Sequence, residues 1–333
     1  MKYLILLISF FLFSCDGKEN MEKSSVCTEH STVSELEKHI NRDSYCKYLL
    51  GLKYYNGDNI EKDFNKAYSL IKEAAENGII KAEIDLSRIY ERGIGVEKNY
   101  TLAFEWMNKA AQDGSTEAMN NVGVYYDYGI GVTRDPQKSI EYYKKSADLG
   151  NDSAMYNLGI ALFYREEITK DEKKALFWIE RSADMGNIEA ITSLYSIYKL
   201  QGNTQKSMYW LNKGIDKNLP ISFFNLGYEY SKGNSLLIKD DRKAFENYLK
   251  SAEMGVSFAQ NNLANWYLSG YYVKKDEKEA IKWYSKAAEG NLPEAMYVLY
   301  QLYSEGTKDI PQDQEKANYW LEKAQKNGFL PPQ

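Results

Sequence analysis

The stretch Gly129-Ile130-Gly131 has the makings of a phosphate-gripping loop, with Lys138 and several hydroxyls close behind it. Glycines let backbone amides close around an anion, and a lysine adds charge. Such a loop is normally used once per site, yet Gly93-Ile94-Gly95-Val96 repeats it thirty-six residues earlier. Two pairs of adjacent carboxylates, Glu166-Glu167 and Asp240-Asp241, have the composition of an acid/base couple. Nothing beside them explains a tuned proton affinity, so a solvated loop and a helix cap account for them better. The only histidines, His30 and His39, precede the repeated region. No Ser-His-Asp set and no zinc-type spacing can be assembled there. Neither an enzyme, a cofactor nor a metal is expected.

The duplication directs attention to the elements that carry these residues. One column reads Asp63, Asn99, Asp135, Asp171, Asn203, Asp240, Asp276 and Asp313. Asp and Asn side chains accept from the free amides at a helix start, and Pro136 suits a first helical position. A second column closes each segment: Gly78, Gly114, Gly150, Gly186, Asn218, Gly255, Gly290 and Gly328. These residues tolerate the left-handed backbone that ends a helix. Small residues follow four positions later, from Ala82 and Ala118 to Ala295. Between cap and glycine, Ala67, Leu70, Ile71 and Ala74 mark one apolar helical face.

Each unit therefore reads as two helices of about ten to fourteen residues joined by a turn. One hairpin cannot bury its own apolar face, whereas a stack of hairpins can. The expected fold is all-α, a solenoid of antiparallel helix hairpins forming a right-handed superhelix. Eight units fill 44–328, with a tether and N-terminal cap at 15–43 and a tail at 329–333. The unit at 187–218 is short, and the loop 233–241 after the next first helix is long. A local change of curvature is expected there.

These units resemble the SEL-like repeat, a relative of the tetratricopeptide repeat. The third carries Ala118, Val122-Gly123, Tyr126, Gly129-Ile130-Gly131-Val132, Asp135, Lys138-Ser139, Tyr142-Tyr143 and Gly150. The seventh carries Ala259, Leu263-Ala264, Tyr267, Gly270, Val273, Asp276, Ala280, Trp283-Tyr284 and Gly290. Two units depart from the pattern. Arg165-Glu166-Glu167-Ile168 replaces the glycine turn, and Tyr195 replaces a close-packing glycine. Beta-lactamase-like relatives carry a cysteine pair in each repeat, and this chain has none after Cys46. The resemblance thus implies binding by an extended surface rather than catalysis.

Residues 1–14 resemble a bacterial lipoprotein signal peptide, with Cys15 as the acylated residue. Their apolar run is shorter than the ~20 residues a membrane span needs. The expected location is the cell envelope, lipid-anchored and facing the periplasm, with the bilayer as one partner. Cys27 and Cys46 either form a disulfide or stay separate. A net charge of -5 with no basic cluster argues against nucleic acid.

Interface hot spots favour tyrosine and tryptophan. The candidate binding face comprises Asp85, Tyr125, Asp127, Tyr128, Tyr164, Tyr228, Glu229, Tyr230, Trp266, Tyr271 and Tyr272. Tyr90, Tyr126, Tyr198, Tyr267 and Tyr303 read as core instead. Two functions compete, a scaffold for an envelope protein and an immunity protein. The second would neutralise a secreted toxic effector, such as a phospholipase delivered by type VI secretion.

Overall fold

The computed structural model describes residues 26–166 and 168–329. The signal segment, Cys15 and Glu167 lie outside the described residues. A short helix, α1 (Val33–His39), begins with a reciprocal cap: Thr32 accepts from the Glu35 amide, and Glu35 accepts from the Thr32 amide. Thirteen-residue helices follow in antiparallel pairs. They are α2 (Ser44–Asn56), α3 (Phe64–Glu76), α4 (Ile80–Arg92), α5 (Tyr100–Gln112), α6 (Thr116–Tyr128), α7 (Pro136–Asp148), α8 (Asp152–Tyr164) and α9 (Glu172–Asp184). The series continues with α10 (Ile188–Leu200), α11 (Thr204–Asp216), α12 (Pro220–Lys232) and α13 (Asp241–Glu253). It ends with α14 (Ser257–Ser269), α15 (Glu277–Glu289), α16 (Pro293–Glu305) and α17 (Gln314–Lys326). The fold is an all-α solenoid of paired antiparallel helices. It divides into two compact units, Met1–Ser182 and Ala183–Gln333.

Local chemistry places these boundaries. Each Asp or Asn of the cap column accepts from the amide three residues on, as Asp63 does from Lys66 and Asp313 from Lys316. Such a cap is worth about 1 kcal/mol. The closing column is left-handed at Gly78, Gly114, Gly150, Gly186, Asn218, Gly255 and Gly328. The seventh repeat departs from expectation. Gly290, the C-cap of α15, has a negative φ, and Asn291 takes the left-handed position.

Within a hairpin, first-helix glycines admit a large residue of the second helix. A Cβ on Gly123 would lie 2.6 Å from the Tyr143 ring, and one on Gly51 would lie 2.7 Å from the Ile71 side chain. Ala67, Ala82, Ala103 and Ala118 are fully buried, so backbones approach closely. Tyr195, which stands where the first, third, fourth and sixth repeats have this glycine, is buried and donates to Glu229 at 2.7 Å. Its register-equivalent partner position on α11 holds the smaller Leu211.

In the first unit, the turns Gly93–Val96 and Gly129–Val132 seat on the preceding hairpin. Gly95 and Gly131 both have positive φ. A Cβ on either would overlap the backbone carbonyl of Phe64 or Tyr100, at the starts of α3 and α5. These glycines are therefore spacers between stacked hairpins, not a phosphate cradle.

Candidate functional site

The expected binding residues fall into three environments. Tyr125, Asp127 and Glu229 are buried, which corrects their assignment to an open face. Tyr125 packs with Met107 and Val122, and burial pushes its hydroxyl up in pKa. Asp127 is held by an ion pair with Arg165 from the next repeat. Asp85 is half-buried, accepting from the Tyr48 hydroxyl at 2.8 Å and from Arg88 at 3.0 Å. Tyr230 and Trp266 are partly buried against the core of the second unit. Tyr128, Tyr164, Tyr228, Tyr271 and Tyr272 are exposed, Tyr128 to 72%.

Glu229 shows why sequence position alone misplaces a charge. Burial would raise its pKa, but hydrogen bonds from Lys199, Asn234 and Tyr195 outweigh burial and hold it low. Burial and the Glu229 carboxylate push the Tyr195 hydroxyl up. Lys199 also sits 4.3 Å over the Tyr228 ring. Asn234 opens the long loop with two further bonds, its side-chain oxygen accepting from the amides of Leu236 and Leu237. Glu229 thus anchors the start of that loop.

The second unit gathers aromatics at the turn after α14. Trp266 lies at 6.0 Å, stacked, from Phe245, and at 5.1 Å, edge-on, from Tyr271. Tyr272 contacts both Phe245 and Trp266. Lys239 donates to the Tyr271 hydroxyl at 3.0 Å, and that hydroxyl donates to Asp241 at 2.7 Å. Tyr272 occupies the position of Gly95 and Gly131, yet keeps a positive φ of 64°. A bulky residue there costs about 1–3 kcal/mol and persists only when its surroundings hold it. Tyr272 stays 49% exposed, and beside Lys239 the loop exposes Leu236 and Ile238, the latter to 90%. Sequence reasoning missed these two, although Leu236-Leu237-Ile238 is an apolar run inside a loop. Together they form an exposed patch of the kind that marks interaction sites.

Cys27 and Cys46 are joined in a disulfide, with Cα atoms 5.4 Å apart, pinning the segment before α1 to α2. This corrects the expectation of the bilayer as a partner and of a lipid-anchored periplasmic location. The two described cysteines are bonded to each other, and neither offers a thiol for acylation. Cys15 lies outside the described residues, and among those described no helix is long and apolar enough to cross a membrane. No group of three or more His, Cys, Asp or Glu among the described residues is placed to hold a metal ion.

Comparison with known proteins sharpens this picture. The pattern of the Sel1 repeat family matches residues 44–79, 80–115, 116–151, 152–187, 193–219, 224–256, 257–292 and 293–329. A Sel1 repeat protein from Oxalobacter formigenes superimposes with a TM-score of 0.71 at 25% identity, covering 93% of this chain and 90% of that one. A protective antigen with an SLR fold from uropathogenic Escherichia coli gives a TM-score of 0.69 at 28% identity, covering 90% of this chain and 65% of that one. A chitin synthase regulator of Saccharomyces cerevisiae is 36% identical over 100 residues, 29% of this chain and 14% of the regulator. Across the curated relatives it matches, the chain spans 12% to 49% of their length.

Proposed function

The chain belongs to the Sel1 repeat family, and from that premise we propose that it binds a partner protein through the tyrosine-bearing patch of its second unit. Repeats of this kind serve as non-catalytic, protein-binding scaffolds. One observation carries the choice of patch: Tyr272 holds a positive φ where the turns at Gly95 and Gly131 have glycine and the turn at Asn59 has a small polar residue, and its ring remains half exposed. Contacts with Phe245 and Trp266 offset the backbone strain without burying the ring, and a binding surface gains a rigid aromatic anchor. Tyr271, Leu236 and Ile238 extend the patch, so the fitting partner presents an apolar surface. The relative named as a chitin synthase regulator acts on another protein, which supports recognition as the mode of action here.

The test compares the wild type with an Ile238→Asp, Tyr271→Ser double variant of the full chain, both checked for folding by circular dichroism. The wild type should retain a partner that the variant loses, and a Tyr128→Ser control should keep it. Equal retention by the double variant overturns the assignment. The partner's own activity then separates the finer readings. Loss of that activity on binding makes this chain an inhibitor, as an immunity protein would be, and unchanged activity makes it a scaffold.

A further inference from the structure

Between the first two hairpins of Met1–Ser182 lies a hollow of about 380 Å³ that the tyrosine patch does not involve. Its apolar wall is Leu52 and Ile94, backed by the buried Ile71 and Ile89. Three polar side chains at its rim, Tyr55, Asn56 and Arg92, make no hydrogen bond or ion pair through their polar ends among the described residues, and Asn56 and Arg92 are exposed. Asn56 and Arg92 end α2 and α4, so they occupy the same position in successive repeats.

Among the described residues, one charged group of the hollow stands outside the pairing. Asp85 is satisfied by Arg88 and the Tyr48 hydroxyl, and Arg88 also reaches Glu117. Arg92 is left over as a free guanidinium in a chain whose net charge is -5. A guanidinium takes a carboxylate through two parallel bonds, and the Asn56 amide can donate to the same group. The volume lies at the small end of ligand sites, roughly 300–1,000 Å³, which suits one or two residues rather than a helix. Charge and apolar lining side by side define a ligand with a carboxylate next to an aliphatic side chain.

We propose that this hollow binds the C-terminal end of a partner polypeptide, with the terminal carboxylate on Arg92 and Asn56 and an aliphatic last side chain against Leu52 and Ile94. An internal Asp or Glu carries its charge on a flexible stem and brings chain on both sides, which the small hollow accommodates less well. This site is independent of the tyrosine patch, so either can fail alone.

The probe is a fluorescently labelled short peptide ending in leucine with a free carboxylate, titrated with the full chain and read by anisotropy. Its C-terminal amide should bind at least about tenfold more weakly, and so should a version ending in glycine. Arg92→Ala should weaken the free-acid peptide by about tenfold or more and narrow the difference between acid and amide. Arg92→Lys should recover part of the affinity, because it restores charge without the fork. Equal affinity for acid and amide overturns the proposal, as does unchanged binding by Arg92→Ala. Binding of an internal-glutamate peptide as tight as that of the free acid shows an acidic-segment site instead. Absence of binding up to millimolar chain also overturns it.

Discussion

The turn Gly129-Ile130-Gly131-Val132 in the first unit and the turn Gly270-Tyr271-Tyr272-Val273 in the second occupy the same place in their repeats. Both begin with a left-handed glycine, at φ 69° and 72°. They part at the third residue. Gly131 brings its backbone against the Tyr100 carbonyl, where no side chain fits. Tyr272 carries a side chain in the same backbone region, so its turn cannot seat in that way. One turn serves packing, and the other gives up close packing and holds out two rings. The same repeat position can thus be spent on stability or on surface.

The largest way to break this contrast is Gly131→Ala. Its Cβ would overlap a backbone carbonyl and its φ would be strained, so urea unfolding should show a loss of roughly 3 kcal/mol or more. Next comes Glu229→Ala, which leaves Tyr195, Lys199 and Asn234 without their shared acceptor. The expected cost is about 2–3 kcal/mol. The wild type carries a matching pH signature. Because the folded pKa of Glu229 is below its ordinary 4.5, its contribution is complete above that value. It is lost as pH falls below 4.5 through the folded pKa. The variant should show a flatter acid limb in stability measured against pH.

Gly129→Ala and Gly270→Ala should cost the same, about 1 kcal/mol each, because both meet only side-chain or local backbone atoms at 3.1 Å or beyond. Unequal costs would mean the two turns differ before their third residue. The smallest effect belongs to Tyr272→Gly. Relief of the left-handed strain offsets the lost ring contacts, so stability should move by less than about 1 kcal/mol. Partner retention should fall all the same. A stability loss of several kcal/mol would instead make Tyr272 a packing residue.

Much of the fold is legible in the sequence because it depends on local chemistry. The cap aspartates and asparagines act on amides three residues away, and the column of buried alanines recurs once per repeat. The exception at Gly290 is instructive: two adjacent residues, Gly290 and Asn291, can both end a helix, and composition does not choose between them. The candidate site was legible only in part. Tyr128, Tyr271 and Tyr272 are exposed as their positions suggest. Asp127 and Glu229 are not, because Arg165, thirty-eight residues on, and Lys199, thirty residues back, draw them inward. Such pairings cross repeats and leave no mark in the period. Arg92 leaves no mark in the sequence for the opposite reason, since it stands out only by making no ion pair among the described residues.

The disulfide between Cys27 and Cys46 also determines how the first unit would respond to force. Each hairpin leans chiefly on its neighbours, so a pulled chain should peel one hairpin at a time. A 36-residue repeat, drawn taut, pays out roughly 120–130 Å of contour. The segment closed by the disulfide spans 19 residues and pays out nothing while the bond is intact. In mechanical terms, the repeats yield one by one with slightly different lengths, while the disulfide is a covalent stop on the cap before the first repeat, released only by a reductant.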